Sequence, residues 1–210
     1  MAPPPIRSRR AEHAADTRAA LVDVARPLFA ARGYAGTSTE DVVAAARVTR
    51  GALYHHFRDK ADLFRAVMEK VARELAERLI GEQLQQQLSQ TGGSPLAEVR
   101  LGFGEFLDAC IGSDFQRIVL VDGPTVLGHD VWEDLAERYG LLLLTDWLQR
   151  AIAAGEIDEL PAAALARLLV SLLTEASLMI GRADDPQAAR RDVGVTIDRL
   201  MAGLVPRGDG

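Results

Sequence analysis

The chain has 210 residues, 48% apolar but only 5% aromatic, with a single cysteine, Cys110, which excludes an intramolecular disulfide or a cysteine-rich metal site and fits a reducing cytoplasm. No apolar run approaches the roughly 20 residues that span a bilayer, and the first ten residues lack the apolar segment of a signal peptide. The formal charge of −6 argues against nucleic acid only until it is divided: residues 1–60 hold ten Lys and Arg against six Asp and Glu, a basic unit ahead of an acidic body.

Residues 1–11, rich in Pro and Arg, are expected to form a disordered basic arm. Arg7, Arg9 and Arg10 there suit either a minor groove or a merely solvated tail. Leu21, Val24, Ala25, Leu28 and Phe29 predict a helix from about Glu12 to Arg32, kinked at Pro27 and closed by Gly33. Thr39 is the expected N-cap of a second helix, with Glu40 and Asp41 in its first turn and Val42, Val43 and Ala46 on its apolar face. After a turn at Arg47-Val48, Thr49 caps a third helix that turns Leu53 and Phe57 inward and leaves Arg50, Gly51, Tyr54 and His55 outward. This division of faces is that of a helix-turn-helix.

A fourth helix is expected from near Asp59 to about Ile80, its inner face formed by Leu63, Val67, Val71, Leu75 and Leu79. It begins in the basic unit and continues into the acidic one. Gly81 to Pro95 reads as a fraying helix end and a loop. Leu96, Val99, Phe103, Phe106 and Cys110 form the next stripe, with Gly102, Gly104 and Gly112 as signs of close packing. Further helices are expected over Asp114 to Val121, ended by Gly123-Pro124, then Asp130 to Ala154, Pro161 to about Gly181, and Pro186 to Leu204. No β alternation or internal repeat survives a count. The chain reads as all-α with about nine helices, divided into a helix-turn-helix unit at 12–58 and a larger helical unit at 59–205.

Gly33-Tyr34, Thr37-Ser38-Thr39, Val48 through Phe57, and Asp59-Lys60-Ala61-Asp62-Leu63-Phe64 together resemble the N-terminal domain of TetR/AcrR-type transcriptional regulators, over roughly Ala14 to Met68. Arg47 departs from the pattern, because the family usually places Gly or a small polar residue there. A positive φ at Arg47 would cost on the order of 1 kcal/mol. The resemblance implies a double-stranded palindromic operator, a homodimer through the last two helices, and a small-molecule effector held between the fourth and eighth helices. Among the DNA contacts it implies, Arg50 reads a guanine edge while Gly51 and Ala52 let the helix enter the groove. Tyr54 and His55 resemble a phosphate-contacting aromatic pair. Thr37, Thr39 and Thr49 serve phosphates at helix ends, and Lys60 clamps backbone from the other side. His56 suits packing equally well and is left out of the contact set.

The candidate effector-lining residues are Phe103, Phe106, Cys110, Gln116, Trp132, Trp147, Glu175 and Met179. Glu175 interrupts a Leu-rich helix, so it has a buried partner, faces solvent, or bonds across a dimer. The segment from Asp122 to Trp132 resembles a C-terminal stretch in a subset of these regulators and is expected to bring Asp122, His129 and Trp132 together. The reading is a repressor released by a small, largely apolar effector. An activator or an effector-independent architectural DNA binder would share the same features. A helical enzyme built on Asp122, His129, Asp130 and Cys110 is a remote alternative, since metal-ligand spacings, phosphate loops and nucleophile elbows are missing and His129-Asp130 reads as a capping pair. No metal or cofactor is expected.

Overall fold

The computed structural model describes residues 9–90, 92–111 and 114–206, with side chains from residue 14 onward. Helices make up its regular structure, and no strand occurs among the described residues. The expected basic arm lies outside the described residues as far as position 8. The first helix, α1 (Arg9–Arg32), already begins at Arg9, ahead of the expected Glu12, and Gly112 is also outside them. Gly33 ends α1 with φ +70°, a conformation that an L side chain rarely adopts.

The second helix, α2 (Thr39–Ala46), is capped by Ser38 rather than Thr39. Ser38 Oγ accepts from the Asp41 N–H at 3.1 Å, and the Asp41 carboxylate accepts from the Ser38 N–H at 2.9 Å. The reciprocal pair needs this three-residue spacing, which Thr39 lacks. Arg47 does take the left-handed conformation, at φ 55° and ψ 39°. In α3 (Arg50–His56), Thr49 Oγ1 accepts from the Ala52 N–H at 3.2 Å, while Leu53 and Phe57 are buried. Asp59 caps α4 (Lys60–Ile80). Phe29, Leu53, Phe57 and Phe64 form the core beneath α1–α3, with Phe64 edge-on to Phe29 at 5.1 Å.

Part of the expected loop after α4 is helical: α5 (Glu82–Gln90) buries Leu84 and Leu88, an i, i+4 pair. The helix α6 (Pro95–Ala109) follows. A π-helical stretch, Gln116–Asp122, then runs directly into α7 (Gly123–Leu127). Gly123-Pro124 therefore starts a helix instead of ending one, because a proline in the first turn forfeits no helical hydrogen bond. The break falls at Gly128, where φ is +84°. Beyond it lie α8 (His129–Ala136), a second π-helical stretch (Glu137–Leu141) and α9 (Leu142–Ala153), where one long helix is expected.

The chain closes with α10 (Ala162–Arg182) and α11 (Pro186–Ala202). By length and composition alone α10 could cross a membrane, contrary to the reading that no run approaches that length. Its Ala166, Leu169, Leu173, Ala176 and Ile180 are buried inside the protein, while Leu168 and Met179 are exposed.

Candidate DNA-contacting face and buried cavity

The outer face of α3 presents Arg50, Gly51, Tyr54 and His55, all exposed. Arg50 Nη1 lies 3.0 Å from the Glu40 carboxylate, and its guanidinium sits 5.5 Å from the centre of the Tyr54 ring. The Tyr54 hydroxyl bonds to Thr39 and Arg50, which holds it below the usual phenol range. Glu40 was not anticipated, although its place one residue after Thr39 is the available signal. A Cβ added to Gly51 would meet only Thr49 Oγ1, at 3.9 Å. Nothing inside the protein demands glycine there.

Not every expected contact faces outward. Thr37 is buried and its hydroxyl donates to the Leu28 and Gly33 carbonyls at 3.1 and 2.9 Å. Lys60 Nζ donates to the Tyr34 and Thr37 carbonyls at 2.9 and 3.0 Å and lies 4.0 Å from the Tyr34 ring centre. Both side chains brace the loop between α1 and α2. Thr39 is nearly buried, its hydroxyl shared between Glu40 and Tyr54. Thr49 spends its oxygen on the α3 cap, and Ala52 is half-buried. Burial first, and then the neighbouring His55, holds the half-buried His56 imidazole below its usual range.

Behind this head the helical body encloses a cavity of about 110 Å³. Phe103, Phe106, Trp132 and Trp147 line it as expected, joined by residues that periodicity did not single out, among them Met68, Phe115, Val119, Leu120 and Tyr139. Gly102 lets Trp147 lie against α6, since an added Cβ would overlap the indole ring. Thr174 donates to the Val170 carbonyl at 2.9 Å and Trp132 Nε1 to the Val119 carbonyl at 2.8 Å, so both wall groups are already satisfied. Among the described residues no carboxylate, imidazole, ammonium or guanidinium lines the cavity.

The other four expected lining residues sit elsewhere. Gln116 Nε2 donates to the Ser177 carbonyl at 2.9 Å, packed over Gly181. Glu175 lies in a shallow outer groove with Glu133, Glu137 and Arg167, and Met179 is 55% exposed. Cys110 is fully buried, and burial pushes its thiol up to about 11. The thiol should therefore resist alkylation by iodoacetamide at pH 8 in the native protein and react only on unfolding. Rapid native labelling followed by mass spectrometry would contradict that. Of Asp122, His129 and Trp132 only the last two meet: His129 stacks on Trp132 at 5.8 Å and pairs with Glu133 at 3.2 Å, and no side-chain cap opens α8. Asp122 instead accepts from the Tyr34 N–H at 2.8 Å.

Residues 21–67 match the model for bacterial regulatory proteins of the tetR family, and residues 96–204 match a tetracyclin repressor-like C-terminal domain. The chain belongs to the TetR family. It is 34% identical over 144 residues to the transcriptional repressor KstR2 of Mycolicibacterium smegmatis, which covers 67% of each chain. Against the transcriptional regulator AcrR of Shigella flexneri it is 35% identical over 109 residues, 52% of this chain and 48% of that one. The chain thus spans about half the length of this relative. A TetR-family regulator from Pectobacterium atrosepticum superimposes with a TM-score of 0.78 at 34% identity, covering 96% of this chain and 99% of the other. The molecule is a TetR-family transcriptional regulator with an N-terminal helix-turn-helix, and these relatives are regulators rather than enzymes.

Proposed function

We propose that this TetR-family regulator is a homodimeric repressor, with residues 12–58 as its reading head and 59–205 as its effector-binding and dimerisation unit. Arg50 reads a base edge, Gly51 and Ala52 admit α3 to the major groove, and Thr49, Tyr54 and His55 hold phosphates. Thr37 and Lys60 support the head from within. The observation that carries this reading is the course of α4. Its first residue, Lys60, braces the loop into the helix-turn-helix, and its Met68, Leu75 and Leu79 line the cavity. A molecule that displaces α4 changes the spacing of two reading heads, which must lie about 34–36 Å apart on a palindromic site.

The effector is a small, neutral, largely apolar molecule, because a charge placed in this cavity would find no partner. On the dimer side, α10 exposes Leu168, Glu175 and Met179, with Leu172 half-buried between them, and α11 exposes Val195 and Leu200, surface that a second copy covers.

Selection from a random duplex library at moderate salt tests the reading directly. The wild type should enrich a palindrome. Arg50→Ala should weaken binding to it by roughly 1–3 kcal/mol and blur one position per half-site. Equal weakening on all sequences would remove Arg50 from base reading. Operator affinity that no neutral apolar molecule changes would favour an effector-independent DNA binder.

A further inference from the structure

The face assigned to DNA carries an acidic group beside its base reader. Glu40, in the first turn of α2, sets its carboxylate 3.0 Å from Nη1 of Arg50, the first residue of α3. The two close a ring of four side chains. The Thr39 hydroxyl donates to Glu40 Oε2 at 3.1 Å, the Tyr54 hydroxyl bonds to Thr39 and Arg50, and the Arg50 guanidinium lies 5.5 Å from the centre of the Tyr54 ring. The Glu40 side chain is 61% and that of Arg50 66% exposed, and an ion pair so open to water contributes little to folding. A carboxylate on this face also repels phosphate, against the general attraction that brings a basic head to DNA. Its own backbone N–H and then the Thr39 hydroxyl hold the Glu40 carboxyl below the usual carboxylate range, so the charge is present at neutral pH.

We infer that Glu40 is a specificity-determining residue, which withholds Arg50 from phosphates and leaves it to a base edge. The inference rests on the reading of α3 as the recognition helix. A guanidinium carries more N–H donors than the ion pair and the Tyr54 hydroxyl take up, so two remain for O6 and N7 of a guanine. That base edge is neutral, and it meets Arg50 without disturbing Glu40. A phosphate approaching the same guanidinium brings a second negative charge beside the carboxylate, and the two repel. Arg50 therefore loses most of its attraction for backbone that carries no sequence information, while its hydrogen bonds to a base are kept. The Tyr54 ring and hydroxyl hold the long side chain in one place before DNA arrives, so less rotamer freedom is lost on binding. Thr39 fixes the carboxylate that does the withholding, which gives its hydroxyl a role other than phosphate contact.

The test compares wild type, Glu40→Gln, Arg50→Ala and the double variant on the selected operator and on a scrambled duplex of equal length, across a range of salt. Glu40→Gln should tighten binding to the scrambled duplex by roughly three- to tenfold and steepen the dependence of log K on log salt by about one unit per protomer. Its operator affinity should stay within about twofold of the wild type, so the ratio of specific to non-specific binding falls. Added to Arg50→Ala, Glu40→Gln should change neither duplex. The proposal is overturned if Glu40→Gln leaves the scrambled duplex at its original affinity and slope. It is also overturned if the same tightening appears in the Arg50→Ala background, since the carboxylate would then act only through the general field. A wild type that enriches no sequence, alongside a salt slope that Glu40→Gln steepens only while Arg50 is present, supports the withholding of Arg50 from phosphate and refutes its base-reading role.

Discussion

Leu168→Glu combined with Val195→Glu is expected to yield a folded monomer at micromolar concentration, with operator affinity reduced by roughly 10²–10⁴-fold. Within one protomer Leu168 is 70% and Val195 65% exposed, so neither substitution disturbs the chain's own core. In a dimer each would be covered, and burying an aliphatic side chain of this size contributes about 1.5–3 kcal/mol. Two carboxylates per protomer, placed where copies meet, remove that gain and add the cost of dehydrating charge. The large DNA effect arises because a monomer holds one half-site and forfeits the high effective concentration of its twin. Sedimentation velocity checks assembly and a titration on the selected operator checks affinity. A variant that stays dimeric, with native helix content and native affinity, would show that α10 and α11 do not form the interface.

Arg150→Met is the second large effect, expected to lower the free energy of unfolding by about 2 kcal/mol. Glu98 on α6 is 6% exposed and accepts from Arg150 Nη1 on α9 at 2.5 Å. Removing the guanidinium leaves a carboxylate buried between two helices with its charge unanswered. The expected loss lies below that of a fully buried pair because the Arg150 side chain is 44% exposed and already partly solvated. Glu98→Gln added to Arg150→Met removes the orphaned charge and should restore most of the stability, as a denaturant double-mutant cycle would record. Equal stability of wild type and Arg150→Met would mean that water reaches Glu98 and that the pair does not clamp α6 to α9. The same clamp holds the Gly102–Trp147 wall of the cavity.

The helix-turn-helix was legible in the sequence because its determinants are local. Leu53 and Phe57 are four residues apart, Thr49 caps its own helix, and the turn at Arg47 lies between two short elements. Even there, the choice of cap between the adjacent hydroxyls of Ser38 and Thr39 depends on which carboxylate stands three residues on, and Asp41 serves Ser38. Thr37 and Lys60 carry groups suited to phosphate. Only folding shows that the Leu28 and Gly33 carbonyls take up the first and the Tyr34 and Thr37 carbonyls the second.

What the sequence by itself determined was the all-α class, most helix positions, the basic head on an acidic body, and the family. The class and the helix positions follow from periodicities and caps that act over three or four residues, the charge division from a count, and the family from the resemblance carried by Gly33 through Phe64. What only the tertiary structure decided was which inward residues line a void and which fill the core. Phe103 and Phe106 share a stripe with Cys110, yet the cavity takes the first two and the packing near Ser177 takes the last. The Asp122–Tyr34 bond spans 88 positions in sequence. Helical periodicity specifies the direction a side chain faces along its own axis, but not what another helix brings to meet it.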